Sequence, residues 1–187
     1  MPCGLFLTSN PYCPLSVIFS DFSIYMNCQP QIKHPIHPYA YWVHTHSAGT
    51  VISAYKVVTK SKTIGPKAIE IARWHSKWPQ PVWLDESENR TIIYPGNTVA
   101  GSCTYYNKSN QSITWGSSFT ANEMCNIFIY YYVDPSYGES ISNELSCVNE
   151  RLRSVRNFFP PNFNQLPNVN PVCHLYYKIG LWNCPFQ

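Results

Sequence analysis

The chain reads as an all-β protein, an antiparallel β-sandwich with one C-terminal amphipathic helix and an irregular tail. Three observations carry that expectation. Charged residues make up 12% of the 187 positions and aromatics 16%, with 14 tyrosines, a balance suited to half-buried sheet surfaces rather than to a helical bundle. Short runs of strand-forming residues recur, separated by turn signals at fairly regular spacing. Beyond residue 142 the apolar period changes from two to between three and four.

In chain order, residues 1–21 read as an irregular N-terminal segment, broken by Pro2, Pro11 and Pro14. From Phe22 the runs FSIYMNC and YAYWVHTH are strands, Ser47-Ala48-Gly49 is a tight turn, and TVISAYKVV is the returning strand. Residues 60–81 read as looser, with Gly65-Pro66 and Trp78-Pro79 as breakers. A strand resumes at 89–94, turns at Pro95-Gly96-Asn97, and continues over 98–106. Residues 107–111 read as a polar, exposed turn. Ile113 to Trp115 is a short strand, and IFIYYYV over 127–133 a long one. The sandwich therefore occupies 22–142. In 143–187, Leu145, Val148, Leu152, Val155 and Phe159 predict one helix ended by Pro160-Pro161, followed by a Pro- and Asn-rich tail.

The net charge of +3 comes without a basic block, so no nucleic-acid partner is expected. No run of about 20 apolar residues exists, so no membrane span is expected either. Eight cysteines and three glycosylation sequons, at Asn89, Asn107 and Asn110, point to a secreted protein or the lumen of the secretory pathway. The opening MPCGLFLTSNPYCPLSVIFS has no basic leader region and makes a poor signal peptide, which together with the secretory chemistry reads as either a fragment or a sequence missing its front end.

The chemistry gathers at His44 and His46. Side chains two apart on a strand share a face, with Cα atoms about 6.5–7 Å apart, and two such imidazoles can converge on one metal ion. They can equally be polar strand residues beside a turn. A metal site needs a third ligand. His34, His37, His75 and His174 are scattered, but Met124 sits at a strand mouth between Glu123 and Asn126, where a thioether would suit Cu(I). The patch Trp74-His75 with Lys77-Trp78 reads as surface loop, and Tyr130 to Tyr132 as sheet. No catalytic acid–base pair or nucleophile is recognisable, so no catalytic side chain is assigned.

The segments YAYWVHTHSAG, TVISAYKV, YPGNTVAGSCTYYN and FTANEMCNIFIYYYV together resemble the C-terminal domain of the copper type II, ascorbate-dependent monooxygenases. The resemblance runs from about Phe22 to Cys147 and is closest to the peptidylglycine branch. It implies a jelly-roll-like β-sandwich and one copper ion held by His44, His46 and Met124. Ascorbate would be the reductant and O₂ the co-substrate. The implied reaction is hydroxylation of an aliphatic C–H in a peptide or small-molecule substrate, foremost the glycine α-carbon of a peptide.

The resemblance also implies disulfides Cys103–Cys125 and Cys28–Cys147, leaving Cys3, Cys13, Cys173 and Cys184 unassigned. Asn126 keeps a substrate-binding residue of the family. Trp42 stands where the family's peptide hydroxylases carry a carboxylate-binding arginine, and Phe128 where they carry a tyrosine. An indole cannot make a bidentate carboxylate contact. The family's first copper domain lies outside these 187 residues and is an expected partner. The alternatives are a non-catalytic copper- or substrate-binding remnant, a zinc site on the same fold, and a sandwich without metal.

Overall fold

A computed structural model describes residues 3–8, 21–58, 67–76, 82–83, 92–108, 114–115, 122–137, 144–148, 157 and 159–166. Their elements are strands β1 (Cys3–Thr8), β2 (Asp21–Cys28), β3 (His37–His44), β4 (Gly49–Val58), β5 (Lys67–His75), β6 (Val82–Trp83), β7 (Thr98–Tyr106), β8 (Thr114–Trp115), β9 (Asn122–Glu123), β10 (Asn126–Tyr132) and β11 (Glu144–Val148), with a 3-10 turn at Pro135–Tyr137. One sheet runs β11-β1-β10-β3-β6 and the other β2-β7-β4-β5; β8 and β9 form a small third pair. Pairing is antiparallel except for β1 with β11 and β8 with β9. The protein is the all-β sandwich its composition predicts.

Alternation explains how the two large sheets close on each other. Tyr41 and Val43 of β3 and Ile127, Ile129 and Tyr131 of β10 point inward. They meet Met26 and Cys28 of β2, Ile52 and Ala54 of β4, Ile71 of β5, and Val99, Cys103 and Tyr105 of β7. Each fully buried side chain of this size contributes about 1.5–3 kcal/mol relative to exposure. Gly101 of β7 leaves no room for a side chain between the sheets: an added Cβ would lie 2.7 Å from Ile127 Cδ1 of the facing sheet and 2.8 Å from Met26 Cε. The turn expected at Pro95-Gly96-Asn97 is present. Gly96 takes φ +85°, which a Cβ would disfavour, and Asn97 N–H donates to the Tyr94 carbonyl at 3.0 Å.

Four local expectations are corrected. Within residues 1–21, Cys3–Thr8 is a strand, filling the place between β10 and β11. Within the segment read as loose, Lys67–His75 is a nine-residue strand along β4. The breakers Gly65-Pro66 and Trp78-Pro79 bound this strand rather than interrupt it. The Trp74-His75 part of the expected surface loop thus ends a strand, with Trp74 packed against the core; Lys77 and Trp78 lie outside the described residues.

The third correction concerns the start of the helix expected from 143 to 159. Its described start, Glu144–Val148, is a strand pairing with β1, Leu145 opposite Leu5 and Cys147 opposite Leu7. Over five residues a helical and an extended apolar spacing coincide, and the open edge of β1 supplies the backbone partners that select the strand. Residues 149–156 lie outside the described set. Fourth, Asn107, expected on an exposed turn, is only 8% exposed, while Lys108 next to it is exposed and residues 109–111 lie outside the described residues. Asn89 and Asn110 lie outside the described residues.

The described part of the tail is a series of turns. Phe163 N–H donates to the Pro160 carbonyl and Gln165 N–H to that of Asn162. Phe159 packs on Tyr25 and Tyr55, with ring centroids 5.2 and 5.3 Å apart. Arg73, ion-paired with Glu70, donates from Nη1 to the Asn162 carbonyl at 3.1 Å. Residues 159–166 are thereby fastened to the outer face of the β2-β7-β4-β5 sheet.

Candidate metal centre

The strand carrying His44 ends at that residue, and the chain turns through Ser47 and Ala48 into β4. The turn is tight enough to require glycine at its exit. A Cβ on Gly49 would lie 1.7 Å from Thr45 Oγ1 and 2.5 Å from Thr45 Cβ. His46 therefore sits in the turn rather than on the strand, but it stays beside His44. The two rings are 5.4 Å apart, centroid to centroid, and nearly perpendicular.

The segment carrying Met124 runs antiparallel along this turn. Asn126 is the Cα partner of His44 in the β3–β10 ladder. Further along, Glu123 accepts hydrogen bonds from the backbone N–H of His46 at 2.9 Å and of Ala48 at 2.7 Å. Met124 lies between these two attachments. Its sulfur accepts a hydrogen bond from Asn126 Nδ2 at 3.1 Å, and its carbonyl accepts one from the Tyr105 hydroxyl at 2.8 Å. The neighbouring Cys125 is bonded to Cys103, which ties the Met124 segment to β7. Cys28 is also disulfide-bonded; the side chain of its expected partner, Cys147, lies outside the described residues.

The donor set suits a soft ion. His46 Nδ1–H donates to the Asn122 carbonyl at 2.6 Å. This hydrogen bond selects the tautomer whose Nε2 lone pair is available to a metal. Burial, and then the charge of His46, hold the His44 imidazole below its ordinary pKa, favouring the neutral form a metal needs. Burial pushes the Glu123 carboxyl up, while the Ala48, His46 and Met124 amides pull it back. Burial and the Glu123 charge push the Tyr105 phenol well up. Among the described residues no three His, Cys, Asp or Glu side chains gather around one point. A third ligand from the Met124 segment would be the thioether, a donor that suits Cu(I) better than zinc.

Next to His44 on the outer sheet face stands an aromatic pair. Trp42 and Phe128 are Cα partners, stacked at 4.8 Å, and the indole lies 5.9 Å from the His44 ring. The three residues expected to touch substrate, Trp42, Asn126 and Phe128, thus share one face with His44. His37 and His34 are elsewhere: His37 opens β3, at the opposite end from His44, and stacks on Tyr132, while His34 stacks on Tyr137. His75 ends β5 opposite Val51, and His174 lies outside the described residues.

Sequence reasoning missed the roles of Glu123, Asn122 and Tyr105. Glu123 alone left a signal, as an acidic residue at a strand mouth in a chain with few charges. The Asn122 contact is made by a backbone carbonyl, which no side-chain pattern encodes.

Residues 3–156 match the family described as copper type II ascorbate-dependent monooxygenase, C-terminal domain. The chain is 31% identical over 136 residues to peptidyl-glycine alpha-amidating monooxygenase B of Xenopus laevis, covering 73% of this chain and 14% of the relative. It is 28% identical over 142 residues to peptidylglycine alpha-amidating monooxygenase of Rattus norvegicus, covering 76% and 13% respectively. A human protein named putative DBH-like monooxygenase protein 2 is 31% identical over 97 residues, covering 52% of this chain and 18% of that one. The chain thus spans a small fraction of each of these relatives. With the match extending over most of its length, it belongs to the copper type II ascorbate-dependent monooxygenase family, as a C-terminal domain.

Proposed function

We propose that this chain is the oxygen-activating copper domain of an ascorbate-dependent monooxygenase, and that His44, His46 and Met124 hold the one copper ion of the domain. The reading rests above all on the Met124 segment running beside the His44–His46 turn, fastened there through Glu123 and Asn126. Copper, when bound, supplies the one-electron redox chemistry that activates O₂. In the overall reaction an aliphatic C–H becomes C–OH, the second oxygen atom leaves as water, and ascorbate provides two electrons.

The substrate reading is a peptide, hydroxylated at a glycine α-carbon. Asn126, Trp42 and Phe128 would receive it beside His44. The aromatic pair offers packing surface and no cation, so a substrate carboxylate is not held by this pair as an arginine would hold it. The complete enzyme would include an N-terminal copper domain as electron source. The disulfide-bonded cysteines support a secretory-pathway location; among the described residues no helix is long and apolar enough to cross a membrane.

The test is oxygen uptake by the full-length copper-loaded protein with ascorbate and a peptide ending in glycine. Uptake tied to hydroxylated product, and lost in His44→Ala, is expected. Copper bound at one ion per domain with no substrate-dependent uptake would favour the non-catalytic remnant. Retention of zinc in preference to copper would overturn the ligand assignment.

A further inference from the structure

The Glu123 carboxyl is buried, at 3% residue exposure. A carboxylate removed from water is costly unless hydrogen bonds replace its hydration. Here both oxygens are used on the facing turn: Oε2 accepts from His46 N–H and Oε1 from Ala48 N–H. With both oxygens so engaged, Glu123 is not a ready metal ligand. It joins the two chain segments that carry the ligand set, immediately beside His46 on one and Met124 on the other.

The other attachments of the Met124 segment do different work. Cys125 and the Met124 carbonyl fasten it to β7, through Cys103 and Tyr105. The Asn122 carbonyl orients one imidazole ring. Glu123 reaches the backbone of the histidine turn at two points at once, and two points set a distance and an angle where one sets only a distance. Small displacements at such a site are costly, because ligand geometry is set by the groups behind the ligands.

We propose that Glu123 is the positioning residue that sets how closely the Met124 thioether approaches the two imidazoles. The inference builds on the ligand set proposed above and adds a residue to it. Glu123→Gln keeps the side chain's shape but replaces one acceptor oxygen with an NH₂ group. That group cannot accept from a backbone N–H, so one arm of the clamp opens. Glu123→Asp keeps the charge and shortens the reach by one methylene, so it cannot span both amides.

The experiment uses this full chain as wild type and as the two variants. Amide hydrogen exchange is measured without metal, and X-ray absorption and Cu(I) competition titration with copper bound. In both variants the His46 and Ala48 amides should exchange about tenfold faster or more, while Cys103 and Ile127 in the core keep their protection. Copper–sulfur scattering should weaken and Cu(I) affinity should fall by about 10–100-fold, the range seen when supporting groups at metal sites are lost. Faster amide exchange with unchanged copper–sulfur scattering and affinity would overturn the positioning role. So would a Glu123→Asp variant that behaves as wild type, since charge rather than reach would then be responsible. A wild-type chain without copper–sulfur scattering would overturn the ligand set itself and the positioning role with it, a failure recognisable before any variant is made.

Discussion

Asn126 stands opposite His44 across the β3–β10 ladder, and from that position its amide reaches the Met124 sulfur at 3.1 Å. A single residue thus borders an imidazole by backbone pairing and a thioether by side chain. The strand register that packs Ile127 and Ile129 into the core also fixes this meeting, because a slip of one residue would turn every side chain of β10 to the other face.

Removing the thioether should separate copper's two oxidation states. In Met124→Ile, Cu(I) affinity should fall by at least the roughly 10–100-fold that loss of outer groups costs at metal sites. Cu(II), which relies more on imidazole nitrogen, should lose less. Competition titrations under reducing and oxidising conditions read the difference, and equal losses would count against a sulfur ligand.

Breaking the Cys103–Cys125 bond should cost about 3 kcal/mol in the loop-entropy picture for a loop of this size. The double variant Cys103→Ala, Cys125→Ala, compared with wild type by denaturant unfolding without metal, gives the number. Because Cys125 adjoins Met124, copper binding should weaken in the folded double variant as well. Unchanged copper affinity would mean that the noncovalent attachments hold the segment by themselves.

Gly49→Ala should disturb the histidine turn rather than the sandwich. The added Cβ would collide with Thr45, whose backbone joins His44 to His46. Overpacking of this kind costs about 1–3 kcal/mol. The melting temperature should fall modestly and copper affinity should fall with it. An alanine variant that binds copper as wild type does would show that the turn has room to rearrange.

The metal-free fold should lose stability in mild acid through His44. Burial, and then His46, lower the His44 pKa in the native state. The unfolded chain, with an ordinary histidine pKa of about 6.5, therefore takes up a proton at a higher pH than the native chain does. This contribution is complete above the unfolded pKa and is lost as pH falls through the native one. Melting temperatures in chelator should decline between about pH 7 and pH 5, and His44→Ala should flatten part of the decline. A slope unchanged in His44→Ala would assign the effect to other groups.

Much of the sandwich was legible because runs of seven to ten strand-forming residues between turn signals leave little choice but a strand. The strands β3, β4, β7 and β10 are of this kind. Where segments are short or edge-bound, the local pattern loses its force. Leu145 and Val148 fit a helix as well as a strand, and only the open edge of β1 decided between them. Lys67–His75 looked loose because its breakers lie at both ends, and β4 gave it a ladder.

For the site, the sequence by itself determined the donor chemistry: two imidazoles two residues apart, a thioether at a strand mouth, and an aromatic side chain at 42 with no charge to offer. Tertiary structure alone decided that the Met124 segment runs beside the histidine turn, that Asn122 sets the His46 tautomer, and that Glu123 joins the two segments. Such relationships depend on distances between residues far apart in the chain. Those distances come from strand register and packed volume, quantities that no local run of residues contains.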